Sequence, residues 1–264
     1  MGYETYSDLR IENRDRVLTI TMNQPDKLNA VGERMHAELA QVFTDAALDD
    51  EVDIIVLTGA GRAFSAGGDI EWMQKMIDVE GAFEKTAAEG KRIIFSMLDC
   101  EKPIIARVNG HAAGLGATLA LFCDVIFASE KARIGDPHVS VGFVAGDGGA
   151  VIWPQLIGYA RAKEFLMTGD LIPATRAAEI GLINYAVPAE ELDARVDAFV
   201  ERLQKGARKA IRWSKMSVNI GLKQLAHSIM DASLSMEALS NKTADHQEAV
   251  NAFREKRDPV FTGR

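Results

Sequence analysis

Over residues 9–23 the chain alternates apolar and polar side chains on either side of a polar turn at 13–16. That is the period of a β-hairpin whose second strand is Val17–Met22. Residues 31–49 switch to helical spacing and end in an acidic cluster, and the β-branched run DIIVLTG (53–59) then reads as a buried strand closed by glycine. The alternation continues with a helix over 83–98, a stop at Pro103, a strand over 104–110, a Gly/Ala-rich helix over 114–122 and a strand over 124–129. Strand and helix in alternation predict βαβ connections, an α/β fold and a mostly parallel sheet.

From residue 149 the pattern becomes helical. Segments 149–157, 159–168, 174–180, 190–204, 207–225 and 230–256 all allow helices, and INYAV (183–187) is the only good strand candidate there. The expected organisation is a core over 1–200 and a helical region over 201–264. Apolar positions in the final helices need a burial surface, which either the same chain or a partner subunit supplies.

Composition narrows the classes. The 264 residues are 47% hydrophobic and 26% charged, as in an ordinary globular protein, and the formal charge of -8 offers nucleic acid or an anionic membrane no general attraction. No segment approaches 18 uninterrupted apolar residues, and the first residues carry no apolar run, so a cytoplasmic protein without signal peptide or membrane span is expected. Tyr6 stands where a myristoylation signal wants Ser or Thr. Cys100 and Cys123 are too few and too far apart for a disulfide framework or a local metal motif. His36, His111, His138, His227 and His246 likewise lack metal-ligand spacing, and no metal or separate cofactor is expected.

Two glycine-rich turns and one polar pair carry candidate chemistry. In GRAFSAGGDI (61–70), Gly67 and Gly68 permit tight curvature, and Asp69 is a natural N-cap for the helical run beginning at Ile70. In VNGHAAGLGATLALFCD (108–124), Gly110, Gly114 and Gly116 give a similar strand-to-helix transition. Taken alone, each reads first as a structural turn and second as a backbone site whose amides, near Ala66 and Leu115, face a ligand oxygen. Neither is a Walker A loop or a dinucleotide fingerprint. The stretch IGDPHVSVGFVAGDGG (134–149) sets His138 and Asp147 nine positions apart among glycines and apolar groups. Asp147 also suits a turn or helix cap.

NQPDKLNAV, GRAFSAGGDI, PIIARVNGHAAGLGATLALFCDVIFASEKARIGDP and GYARAKEFLMTGDLIPATRAAEIGLINYAV together resemble the enoyl-CoA hydratase/isomerase family, also called the crotonase superfamily. The resemblance implies a spiral of ββα units with a C-terminal helical trimerisation region, assembled as a homotrimer or a dimer of trimers. It implies an acyl-CoA thioester whose carbonyl sits between two amides, here matching Ala66 and Leu115. Asp69 matches the helix-capping acid beside Gly67, Gly68 and Ile70, and Lys27, Asn29 and Ala30 match the loop on the adenine and ribose side of coenzyme A.

The two glutamates of typical hydratases match Thr118 and His138. Threonine cannot replace a carboxylate base, whereas histidine titrates near neutrality at roughly 6.5. His138 and Asp147 resemble the pair of the family branch that hydrolyses carbon–carbon bonds in β-diketones. Three readings follow: acyl-CoA chemistry through an enolate with a changed acid/base set, retro-Claisen cleavage of a small β-dicarbonyl substrate, and a noncatalytic acyl-CoA-binding member. RNA binding, known for some members, has no basic aromatic stripe to support it. His111, Glu130 and Glu237 are read as surface or packing residues.

Overall fold

The computed structural model describes residues 2–264. The hairpin forms from β1 (Leu9–Arg14) and β2 (Val17–Met22), paired antiparallel. Asp15 and Arg16 both take positive φ (50° and 66°), the mirror-image turn whose twist matches that of the strands. Arg16 is held there by its ion pair with Asp53 at 2.7 Å. Helix α1 (Glu33–Leu48) buries Met35, His36, Leu39, Val42, Phe43 and Ala46 on one face and leads to β3 (Ile54–Gly59). The buried Lys102 ammonium donates to the Ala46 and Asp49 carbonyls at 2.7 and 2.6 Å, satisfying acceptors that the end of α1 leaves open.

A repeat then sets in. A strand of a large sheet is followed by a three-residue strand of a smaller one and then by helical structure: β3, β4 (Ala63–Ser65), α2 (Ile70–Asp78) and α3 (Ala82–Asp99). Next come β5 (Ile104–Val108), β6 (His111–Ala113) and α4 (Leu115–Leu121), followed by β7 (Val125–Ser129), β8 (Arg133–Gly135) and a 3-10 turn over Pro137–Val141. Helices α5 (Gly149–Ile157) and α6 (Tyr159–Thr168), strand β9 (Ile172–Pro173), α7 (Ala174–Glu179) and β10 (Tyr185–Val187) complete the layered part. The large sheet runs β1-β2-β3-β5-β7-β10, parallel from β2 onward, and the small one β4-β6-β8-β9. This is the expected α/β spiral of ββα units. The small sheet is the addition, since its strands are two or three residues long and carry no alternation to read.

The C-terminal helices are α8 (Leu192–Gln204), α9 (Arg208–Ser240) and α10 (Ala244–Glu255). The sequence pattern breaks the long segment between 225 and 230, but α9 runs through as one helix of 33 residues. No breaker stands there, and Ala226, Met230 and Leu234 keep one face buried at helical spacing. The break falls instead at 241–243. Asn241 donates to the Met76 carbonyl at 3.0 Å, and the Thr243 hydroxyl caps α10 by accepting from the His246 amide. One face of α9 packs on α3 of the same chain, with Asn219 bonded to the Leu98 carbonyl. Trp213, Val218, Ile220, Met236 and Leu239 remain exposed. Among the described residues no helix is long and apolar enough to cross a membrane.

The main core lies between the large sheet and α1, α3, α4 and α5, with Leu18, Ile20, Ile55 and Leu57 wholly buried. Each such side chain contributes about 1.5–3 kcal/mol through burial. A second cluster joins the other face of the sheet to α8. The two sheets thus fix the loops at the ends of β4, β6 and β8 against one another.

Candidate active site

Those three loops meet. Gly67, at φ 90°, lies so close to the next loop that a Cβ would stand 2.9 Å from the Ala113 carbonyl oxygen. Gly114, at φ 52°, would place a Cβ 3.6 Å from Cε1 of His138. The positive φ favours glycine at both, and at Gly67 the contact requires it.

The amide assignment made from the sequence shifts by two residues. Ala66 is exposed and its N–H is spent on the Leu28 carbonyl at 3.0 Å, so it does not donate into the site. Pairing of this loop with Val31, through Val31 N–H to Gly67 and Asp69 N–H to Val31, leaves the Gly68 N–H without a partner among the described residues. Leu115 is the first residue of α4, whose N-cap Gly114 offers no side chain, so its N–H is one of the helix's open donors. Gly68 and Leu115 line one cavity of about 50 Å³ together with His138, Asp147 and Glu237. Its apolar walls are Trp72, Met73 and Met76 of α2, Phe83 of α3, Phe143 and Leu234.

Pro137 starts the 3-10 turn that presents His138, and Gly142 ends it at φ 68°. Nδ1 of His138 is hydrogen-bonded to the buried Asp136 carboxylate. Nε2 faces Asp147, 3.7 Å from Oδ2, and the Thr118 hydroxyl donates to the other Asp147 oxygen at 3.3 Å. The nine-residue interval therefore does return the chain to the same wall. Asp136 orients the ring, and Asp147 stands at its reactive side.

Burial disfavours the imidazolium, but the charges of Asp136 and Asp147 outweigh it and push His138 up to about 10. Burial also raises Asp147 above the usual carboxylate range, against the opposing pull of His138. Glu237, on α9, is driven well above its ordinary value by burial and by repulsion from Asp147. One oxygen each of Asp136 and Glu237 is buried without a hydrogen-bond partner. The site therefore favours a cationic imidazole held between Asp136 and Asp147, while burial raises the Asp147 and Glu237 carboxyls above their ordinary range.

Sequence reading passes over Asp136 and assigns Glu237 to packing. The signal for Asp136 is local, an acid two residues before a histidine across a proline, whereas Glu237 is brought in from 90 positions beyond Asp147. His36 also lines the cavity, with Nδ1 3.0 Å from Glu89 and its ring 4.9 Å from that of Trp72.

Other sequence candidates are occupied elsewhere. The buried Asn29 side chain donates to the Ala60, Ala63 and Phe64 carbonyls and accepts from the Gln24 amide, so it is a loop clamp with no capacity left for a ligand. Lys27 pairs with Asp69 at 2.9 Å, and Asp69 caps α2 by accepting from the Glu71 and Trp72 amides. The Ala30 amide bonds the Lys27 carbonyl, and Ile70 opens α2. His111 accepts from the Arg133 amide at the surface, and Glu130 is exposed.

Asp136, His138 and Asp147 cluster closely enough to be considered as metal ligands. Both ring nitrogens, however, already face carboxylates, Nδ1 bonded to Asp136 and Nε2 3.7 Å from Asp147. The arrangement suits proton transfer better.

Adjacent open amides, an imidazole shifted toward its charged form and carboxyls around an apolar cavity define an enzyme-type site on a ββα spiral. The pattern of the enoyl-CoA hydratase/isomerase family matches residues 12–264, and the chain belongs to that family. It is 34% identical to crotonyl-CoA hydratase of Syntrophomonas wolfei, covering 97% of this chain and 98% of that one. It is 31% identical to 1,2-epoxyphenylacetyl-CoA isomerase of Escherichia coli, covering 94% and 95%. Among solved structures, an enoyl-CoA hydratase/isomerase from Mycobacterium paratuberculosis superposes with a TM-score of 0.91 at 35% identity, over 94% of this chain and 99% of that one.

Proposed function

We propose that the protein transforms an acyl-CoA thioester through an enolate, as a hydratase or isomerase whose acid/base pair is His138 and Asp147. The observation that carries this reading is the convergence of the Gly68 and Leu115 amides on the cavity that holds both groups. Two such donors stabilise a thioester oxygen as it gains charge, and losing one costs about 10²–10³ in rate in comparable sites. Relatives named as enoyl-CoA hydratases support the thioester.

For hydration, the water oxygen bonds to C3 of a 2-enoyl thioester while the double-bond pair moves onto the thioester as enolate. Asp147, in its carboxylate form, takes the water proton, and the His138 imidazolium delivers a proton to C2. Proton return from Asp147 to His138 resets the pair, with one water consumed. Asp136 holds the ring throughout. In the assembled protein, the exposed α9 face is the surface on which a trimer or a dimer of trimers would form.

A second reading is hydrolysis of a β-diketone, favoured by Thr118 and His138 standing where the resemblance calls for glutamates. Water adds to one carbonyl, the bond to the central carbon breaks, and its electron pair becomes the enolate of the other carbonyl. Protonation then gives a carboxylic acid and a ketone. A turnover panel of 2-enoyl-CoA thioesters and cyclic β-diketones separates the two. Formation of 3-hydroxyacyl-CoA is the expected result, and carboxylate release from a diketone without coenzyme A overturns it in favour of the second.

A further inference from the structure

We propose that His246, on the C-terminal helix α10, is a positioning residue that sets the His138 ring through the turn over residues 138–143. The inference rests on the reading of His138 as the reactive imidazole. His246 is wholly buried, and its Nδ1–H donates to the Val141 carbonyl at 2.6 Å. Its Nε2 has no partner among the described residues, and burial pushes the imidazole below its ordinary pKa. The ring stacks on Phe143 with centroids 3.9 Å apart and planes inclined by 24°. Phe143 in turn donates its amide to the His138 carbonyl at 2.8 Å, lines the cavity and lies 6.3 Å from the His138 ring.

The contact is tight on the backbone side too. Gly142, at φ 68°, would place a Cβ 2.9 Å from the His246 amide nitrogen, so nothing larger than glycine lets α10 approach this turn. His246 thus grips the turn twice, by a hydrogen bond before Gly142 and by a stacked ring after it. The same helix holds the opposite wall of the cavity, through Gln247 to Gln74 at 3.0 Å and Arg254 to Glu71 at 3.1 Å. Displacement of the turn would change the 3.7 Å separation of His138 Nε2 and Asp147, and misplacement by about 1 Å can cost roughly 10²-fold in rate.

The test reads the His138 ring by nuclear magnetic resonance in the substrate-free protein and in His246→Asn, His246→Phe and His246→Ala, with melting curves to establish folding. Asparagine retains a donor for Val141, phenylalanine retains only the stack, and alanine retains neither. The expected result is an unchanged His138 Nδ1 proton resonance in His246→Asn and a shifted or broadened one in His246→Phe and His246→Ala. With substrate, His246→Ala should lower kcat by about tenfold with KM within about twofold, and His246→Asn should recover most of the loss. An unchanged His138 resonance in the folded alanine and phenylalanine variants overturns the proposal. If neither folds, Phe143→Leu decides on the same resonance: a shift supports the coupling and no shift overturns it. Because the ring is read without substrate, failure of the proposed reaction leaves this test intact.

Discussion

Two walls of the molecule carry polar side chains toward the same region and use them in opposite ways. On the wall formed by residues 27–30 and 66–69, the polar side chains are consumed internally and, among the described residues, only the Gly68 amide stays open: Asn29 serves three carbonyls, Lys27 pairs with Asp69, and Asp69 caps a helix. On the wall formed by residues 136–147, His138 is partly buried and pushed up to about 10, Asp147 is shifted upward, and an oxygen of Asp136 goes unmatched. A fully paired polar group stabilises a loop, whereas groups whose pKa values burial and neighbouring charges have shifted are candidates for proton transfer. Similar residue types therefore do structural work on one wall and are poised for reaction on the other.

The sharpest test of the difference is substitution on the reactive wall. His138→Ala and Asp147→Asn are each expected to lower kcat by at least about tenfold, the low side of what a positioned acid or base contributes, with melting temperatures showing that both remain folded. Unchanged rates would erase the distinction between the walls.

The second test is pH. The His138 pKa lies above its unfolded value, so the cation, and any stability or rate that needs it, is complete below about pH 6.5 and is lost as pH rises through about 10. The alkaline limb of kcat/KM should accordingly fall near pH 10. A limb near 6.5 would mean that Asp136 and Asp147 do not hold the proton.

On the paired wall the expected losses are in stability. Asn29→Ala strips a donor from the Ala60, Ala63 and Phe64 carbonyls, the last two buried, and should cost about 1–3 kcal/mol by denaturant unfolding, with the rate per folded molecule kept within about twofold. The smallest effect belongs to Lys27→Ala. Its ion pair with Asp69 is largely exposed on the lysine side and screened by solvent, so Tm should move by about one degree at most. A large rise in KM for a coenzyme A thioester in that variant would instead assign Lys27 to ligand binding.

The contrast also explains what was legible in the sequence. Periodicity located the hairpin, β3, β5, β7 and most helices because each buries a face that leaves a regular trace. It did not reveal β4, β6, β8 and β9, which are too short to alternate, or the continuity of α9 past residue 225. His138 and Asp147 stood out as polar residues in an apolar, glycine-rich stretch. Which amide of the 66–68 loop is open was decided by its pairing with Val31, a contact across more than thirty residues with no local signature. Glu237 and His246 resemble ordinary helix positions until α9 and α10 fold back over the site.

The cavity draws on His36, Gly68, Leu115, His138, Asp147 and Glu237, so its lining spans 202 positions of chain (36 to 237). No local folding unit contains a working set. Contacts of such long sequence separation form late, after the entropy of closing the intervening loops has been met. In refolding from denaturant, helical signal should return well before turnover, and activity should track the slowest phase rather than collapse.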